Sequence, residues 1–254
     1  MRQTLSVAII TRNEEANLER TLNSVEWADQ IVIVDNGSSD RTREIARRFQ
    51  AGFFVEEWRG FAAQKNSALD KCAGDWILSL DADEALSDRL AKEIWELLQG
   101  EPEYDGYSFP RRNLFLGRWI RFGGFYPDRK LRLFRRGAAE FEARPVHETL
   151  HFEGKTGRLT GDLMHYAYPT LACYIEHMDR YSTLSAPMAA GGGAKCRSLH
   201  SFLFYAVLNP IATFLYHYIV RLGFLDGREG LLLHAYHSVY VSWKYAKCWE
   251  IVRR

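Results

Sequence analysis

Apolar positions in the first hundred residues alternate between short unbroken runs and helical spacing. "LSVAIIT" (5–11) reads as a buried strand, and in "EEANLERTLNSV" Ala16, Leu18, Leu22 and Val25 recur at helical intervals. "QIVIVD" (30–35) is a second short strand, followed by the turn "NGSSD", whose Ser39 or Asp40 is placed to cap the helix "RTREIARRF". "GFFVEE" is a third strand, "FAAQKNSALDKC" a third helix and "DWILSLD" a fourth strand. Ser87 is placed to cap the helix "DRLAKEIWELLQG", which closes at Gly100. Strand–helix alternation of this kind predicts an α/β fold, a mostly parallel sheet flanked by helices.

From "EPEYDGYSFPRRNLFLG" to "LTGDLMHY" the pattern changes to short alternating segments rich in Arg, Gly and aromatics, as expected of antiparallel strands added to the sheet. After Pro169 the chain is helical again. The pattern predicts two regions, an α/β domain over 1–168 and a C-terminal helical extension over 169–254. In the extension, "SFLFYAVLNPIATFLYHYIVRLGF" is interrupted by Asn209, Pro210 and His217, which makes it a poor membrane span and a better core or interfacial helix pair. Farther on, Trp243, Tyr245 and Trp249 stand among Lys244, Lys247, Arg253 and Arg254, an interfacial mixture of aromatics and cations. The alternative for that tail is a helical pair packed on the catalytic domain or on a second copy of the chain.

Composition narrows this little. With 254 residues, 47% hydrophobic and 26% charged, the chain is an ordinary globular one, and a net charge of +1 does not call for a polyanion as partner. The N-terminus runs into a strand without a signal-peptide layout. The cysteines (Cys72, Cys173, Cys196, Cys248) lack CxxC pairing, so reduced thiols in the cytoplasm are expected.

The chemistry concentrates at strand ends, where parallel sheets bind ligands. "SLDADEA" puts Asp81, Asp83 and Glu84 within four positions, and such a cluster needs something positive among its members. Two residues apart on an extended chain, Asp81 and Asp83 face the same way and suit a hard divalent cation completed by phosphate oxygens. "VDNGSSDRT" offers an acid for a ribose or base and a helix N-terminus for phosphate; on its own it is a well-made turn. There is no GxGxxG after the first strand and no GxxxxGK[ST].

Taken in order, "SVAIITRNEEANLERTLNSV", "IVIVDNGSSDRT", "FAAQKNSAL" and "DWILSLDADE" resemble the successive motifs of family-2 glycosyltransferases, which have the Rossmann-like GT-A fold. "FYPDRKLRLFRR", "RPVHETL", "MHYAY" and "GFLDGREGLLLHAYHSVYVSWKYAKCWE" are similar to the branch that builds the lipopolysaccharide core, including its β-1,4-glucosyltransferases. The resemblance implies an inverting transfer of a hexose from a nucleotide-diphosphate sugar, UDP-hexose by default, with Mn²⁺ or Mg²⁺ as cofactor. Thr11, Asn13, Glu14, Asp35, Gln64, Lys65 and Asp81 match positions beside the donor, Asp83 and Asp81 those at the metal, and Glu148 the catalytic base. Arg129, Arg132, His147 and His165 fall where acceptor or diphosphate contacts are expected; His165 is also a candidate third metal ligand, its alternative being a satisfied core histidine. Asn36 departs from the family, many of whose members have a second Asp there. The QxxRW motif of processive synthases is absent, which favours single sugar transfer.

The segment 111–136 interleaves arginines with aromatics and would suit RNA, but an anionic glycolipid or saccharide acceptor needs the same positive field. Solvated strand edges account for some of these charges. The family resemblance favours the acceptor and no nucleic acid. The expected setting is the cytoplasm, peripheral at the inner face of the cytoplasmic membrane, with a homo-oligomer as a further arrangement. Two other readings are a sugar-nucleotide or polyprenyl-phosphate nucleotidyltransferase and a non-catalytic membrane-associated scaffold.

Overall fold

A computed structural model of the protein describes residues 2–143, 149–191 and 198–253. The chain forms two compact units, Met1–Arg112 with Asp128–Tyr166, and Asn113–Pro127 with Ala167–Arg254. The insertion of 113–127 in the second unit has no counterpart in the sequence pattern.

The first unit begins as an alternating series: β1 (Leu5–Thr11), α1 (Leu18–Asn23), β2 (Gln30–Asp35), α2 (Thr42–Arg48), β3 (Gly52–Val55), α3 (Phe61–Asp70), β4 (Trp76–Asp81), β5 (Glu84–Leu86) and α4 (Asp88–Leu98). Next come β6 (Gly106–Phe115), β7 (Arg118–Trp119), β8 (Asp128–Arg135), β9 (Ala139–Glu142), β10 (Thr149–Phe152), β11 (Thr156–Arg158) and β12 (Leu163–Tyr168). The main sheet has the order β3-β2-β1-β4-β8-β6-β12-β5. Strands β3 to β4 in that order pair in parallel, whereas β8 joins β4 and β6 antiparallel. β9 and β10 form a separate hairpin.

Side-chain alternation divides the core between the sheet's two faces. Leu5, Val7 and Ile9 of β1, Ile31 and Ile33 of β2, and Trp76, Leu78 and Leu80 of β4 pack with α1, α2 and α4. The intervening Ala8, Val32, Val34 and Ile77 pack with α3 and with Phe141 of the hairpin. A strand covered on both faces is apolar at nearly every position, here interrupted inside the runs only by the small buried Ser6 of β1 and Ser79 of β4. Ser87 caps α4 as expected, its side chain accepting from the Leu90 N–H, a contact that contributes about 1 kcal/mol. In register, Thr11 lies opposite Asp35 and Ile10 opposite Asp81, so three of the expected donor residues share one edge of the sheet.

The second unit is helical: α5 (Leu171–Gly191), α6 (Leu199–Leu203), a π-turn (Phe204–Leu208), α7 (Asn209–Leu215), a second π-turn (Tyr216–Val220), a 3₁₀ turn (Gly223–Asp226) and α8 (Gly227–Val252). The expected break at Asn209–Pro210 does not occur. Pro210 lies inside a continuous helical run: Leu208 and Asn209 before it are helical, and the Ala206 carbonyl that an N–H at 210 would bond accepts from Ser242 Oγ instead. The run covers 22 residues, and its most apolar 18-residue window has mean hydropathy 1.4. By length and composition that run is sufficient to cross a membrane. The tail also differs from an interfacial one: Tyr245 and Cys248 are buried, and Lys247 Nζ meets Asp179 Oδ1 at 2.5 Å and Ser182 Oγ at 2.8 Å. Buried Asp226 accepts from the backbone N–H groups of Arg121 and Phe122, which ties 113–127 into this unit.

Candidate active site

The carboxyl edge of the first unit's sheet gathers the polar strand ends. At the β1 end, Asn13 adopts φ +54, a left-handed conformation that Asn tolerates. Its N–H donates to Ser38 Oγ (2.8 Å) and its Oδ1 accepts from the Ser39 N–H (2.8 Å). Gly37, with φ +71, closes the turn between β2 and α2. Asp35, 1% exposed, accepts from both the N–H and the hydroxyl of Ser38. Each Asp35 oxygen retains a second lone pair for a further donor. The Glu14 N–H donates to the Thr42 hydroxyl oxygen (2.9 Å). Burial pushes the Glu14 carboxyl above the ordinary value, an effect that the Asn17 side chain opposes and neighbouring Asp83, Asp40 and Asp81 reinforce.

The acid cluster does not sit on one extended face. β4 ends at Asp81, Ala82 and Asp83 form a turn, and Glu84 opens β5. The turn is held by Thr21 Oγ1, which donates to the Ala82 carbonyl at 2.7 Å. This separates the two aspartates that the strand spacing had aligned. Asp81 lies between Lys65 Nζ (2.9 Å) and Arg132 Nη2 (2.6 Å). Fully buried Glu84 takes Arg132 at 3.1 Å and Arg111 at 3.2 Å, and Arg111 continues to Asp128 at 2.7 Å. Burial by itself would raise the Asp81 carboxyl, but Arg132 and then Lys65 overcome it and hold it well below the usual carboxylate range. The positive partners of the cluster are thus largely the protein's own.

Asp83 is the exception. Among the described residues its ion-pair partner is His165, with Nε2 3.5 Å from Oδ2. Adjacent ligands of one divalent ion stand about 3 Å apart, so this pair is close to a shared coordination geometry. No three His, Cys, Asp or Glu side chains converge among the described residues. Asp83 and His165 are the two side chains here that would hold a divalent cation, a carboxylate and an imidazole being acceptable donors for Mn²⁺. Asp81, with both oxygens on cations, is not free to be the second carboxylate of that set.

Two further groups on this edge lack partners. Thr11 Oγ1 and both amide atoms of Gln64 are buried with no hydrogen bond, and Gln64 is 1% exposed. α3, which carries Gln64, packs across β1 and β2. Other buried polar atoms without a hydrogen bond lie elsewhere, on Trp76 and His234 among the described residues, so these three mark groups that a ligand could satisfy rather than a pocket by themselves. Of the other expected residues, Arg129 is directed to the Leu159 carbonyl (3.2 Å), whereas Arg132 is an interior member of the ion-pair chain. His147 and Glu148 lie outside the described residues. Arg111 was missed as a site residue; the sequence shows only the adjacent pair Arg111–Arg112 within an apolar strand. For Arg132 the signal is a lone cation inside the apolar "LRLF".

A curled, mostly parallel sheet with nucleotide-facing strand ends and an Asp-x-Asp turn defines the GT-A class of glycosyltransferases. The sequence model of Glycosyl transferase family 2 matches residues 6–172, and the chain belongs to this family. It is 35% identical over 232 residues to the lipopolysaccharide core biosynthesis glycosyltransferase LpsC of Rhizobium meliloti (strain 1021), covering 88% of this chain and 82% of that protein. An uncharacterized glycosyltransferase of Rickettsia typhi is 31% identical over 242 residues, with 90% and 80% covered. Among solved structures, the mannosyltransferase PcManGT from Pyrobaculum calidifontis, in complex with GDP-Man and Mn²⁺, has the same fold with a TM-score of 0.53, at 16% identity and with 98% and 87% covered. The protein is a glycosyltransferase, in line with the resemblance read from its motifs.

Proposed function

We propose that the protein is an inverting hexosyltransferase that moves a hexose from a nucleotide-diphosphate sugar, UDP-hexose by default, to a lipid-linked or lipopolysaccharide-core saccharide at the inner face of the cytoplasmic membrane. The likeness to LpsC supports the acceptor class. The observation that carries the catalytic reading is the pairing of Asp83 with His165 beside an acid cluster otherwise neutralised from within. That leaves one acidic site for a cation of the substrate complex.

In this reading Asp83 and His165 would hold Mn²⁺ or Mg²⁺, and the ion would supply positive charge to offset that growing on the departing diphosphate. Lys65 and Arg132 keep Asp81 ionised and fixed, and through the turn they fix Asp83. Thr11, Asn13, Glu14, Asp35 and Gln64 line the nucleoside side, where the unpartnered Gln64 amide supplies one donor and one acceptor. The acceptor hydroxyl attacks the anomeric carbon as the bond to the diphosphate oxygen breaks; that oxygen leaves with the electron pair, and the hydroxyl proton passes to the carboxylate of Glu148. The role of Glu148 is supported by the motif resemblance, with His147 beside it for the acceptor or diphosphate.

Asp83→Asn tests the reading. Transfer is expected to fall by about 100-fold or more, while the thermal midpoint stays within about 2 °C, since the pair lost, Asp83–His165, is long and only half-buried. A screen of UDP-, GDP-, CMP- and dTDP-sugars with each metal reads which free nucleotide appears. Full transfer in excess chelator would sink the metal assignment.

A further inference from the structure

The helical run from Leu199 to Val220 is covered on one side only. Its inner side rests on α8: Ser242 Oγ donates to the Ala206 carbonyl at 2.7 Å, Tyr205 packs on Tyr245 and Phe202 on Trp249. On the outer side Leu203, Val207, Ile211, Leu215 and Ile219 form an exposed row, each followed by a second exposed residue. Only 11% of the run's apolar window is buried. Exposed apolar faces of this extent mark interaction sites.

The repeat is four residues. On a regular α-helix a four-residue repeat drifts by about 40° per step, so this row would wind more than a third of the way round. Each π-turn accommodates about one extra residue and sets the row back by about 100°. The two π-turns, Phe204–Leu208 and Tyr216–Val220, therefore keep the row on one side of the helix along its whole length. A straight apolar face about 30 Å long is the result.

We propose that this face lies in the plane of an anionic bilayer surface, sunk to the boundary between headgroups and acyl chains. The inference rests on the membrane setting of the proposed function and names the surface that provides it. Three observations select this occupant. From Ser198 to Leu225 the only charged side chain, histidines aside, is Arg221. It is exposed at the end of the row and donates to the Tyr216 hydroxyl at 3.4 Å, a cation and an aromatic at the height of lipid phosphates. Beyond it Leu222, Phe224 and Leu225 extend the exposed apolar surface. A second protein chain would find on this segment a single charge, Arg221, with which to set its register. The helix does not cross the bilayer, because α8, packed along it, carries Lys244, Lys247 and Glu250 beside the same stretch.

The test uses the full chain and co-sedimentation with vesicles of phosphatidylcholine and phosphatidylglycerol. The double variant Leu208→Glu with Leu215→Glu places two carboxylates on the exposed face without touching the core, and Trp95→Glu, an exposed residue of α4, is the control. Binding should fall at least about tenfold for the double variant and remain unchanged for the control, with the same thermal midpoint in all three. Hydrolysis of soluble nucleotide sugar should be equal in all three, so a failure of the donor chemistry is separable from a failure of the membrane surface. Equal vesicle binding by the double variant overturns the proposal. So does a dimer in sedimentation velocity that the double variant dissociates while the wild type ignores vesicles. Retention of the wild type in vesicles through alkaline carbonate extraction would replace in-plane docking by a span.

Discussion

The two units break the usual rule of burial in opposite directions. At the strand ends of the first unit, Asp81, Glu84, Arg132 and Lys65 are drawn inside and paired. Along Leu199–Val220 of the second, apolar side chains are left outside. Either departure costs free energy relative to an apolar core under a polar skin. In the first unit the cost is offset by charge complementarity, which fixes a rigid turn. In the second it is offset when something apolar covers the face. A buried ion network shapes a site, whereas an exposed apolar row waits for a surface.

Arg132→Met would break that comparison most sharply. It removes the cation shared by Asp81 and Glu84 and leaves Glu84 with Arg111 and Asp81 with Lys65. Each of the two carboxylates loses one cation and keeps the other, so urea melts of the variant should show a loss of about 3 kcal/mol, the low end of what a buried charge left without any partner costs. A loss below about 1 kcal/mol would mean that the network is not what holds the β4–β5 turn.

The next largest effect separates the units by acid. Burial, and then the charge of neighbouring His217, depress His234 to about 4 from 6.5, and burial with the other two imidazoles does the same for His237. A histidine held neutral in the fold gives full stability above its unfolded value, and that stability is lost as pH falls from about 6.5 through 4. Asp81 runs the other way: lowered well below 3.8, its contribution persists above that value and is lost only at more acid pH. The helical unit should therefore weaken first, by on the order of 2–3 kcal/mol at pH 4. Melts followed by circular dichroism from pH 7 to 4 should show a falling midpoint that the double variant His234→Gln with His237→Gln flattens. An identical fall in the variant would assign the acid sensitivity elsewhere.

The same contrast governs what the sequence disclosed. The first hundred residues could be read nearly element by element because each strand is buried on both faces and each helix on one, so pattern and fold are one statement. The acid cluster was legible as a place, but its partners were not. Arg111 and Arg132 reach it from β6 and β8, strands distant in sequence, and local spacing carries no information about such pairing. Extended geometry aligned Asp81 with Asp83, yet a turn pinned by Thr21 sends them to different neighbours. In the helical unit, Asn209 and Pro210 read as a break because propensity counts a proline without knowing its helical position. Next to the π-turn Phe204–Leu208 it breaks nothing, because the Ala206 carbonyl it leaves without a backbone donor accepts from Ser242. The tail's aromatics and lysines suggested an interface there, whereas packing against Asp179 takes up Lys247 and the exposed apolar face lies on the preceding run.

The smallest predicted effect sharpens the comparison at a single side chain. Gln64 is buried at the site edge like the ion network, but its amide, unlike Asp81 or Glu84, has no partner. If that amide exists for the nucleotide, stability and binding must move in opposite directions when it is removed. Gln64→Met keeps the length and apolar packing of the side chain and eliminates both orphaned atoms. Relief of their desolvation should stabilise the ligand-free protein by about 1 kcal/mol, seen as a rise of about 2–4 °C in the thermal midpoint. Nucleoside diphosphate affinity, measured by calorimetry, should fall about tenfold, the value of one or two hydrogen bonds to a neutral group. A stabilised protein with unchanged affinity would make the orphaned amide a packing defect. A destabilised one would mean that Gln64 has a structural partner, and the nucleoside side of the site would then rest on Thr11 and Asp35.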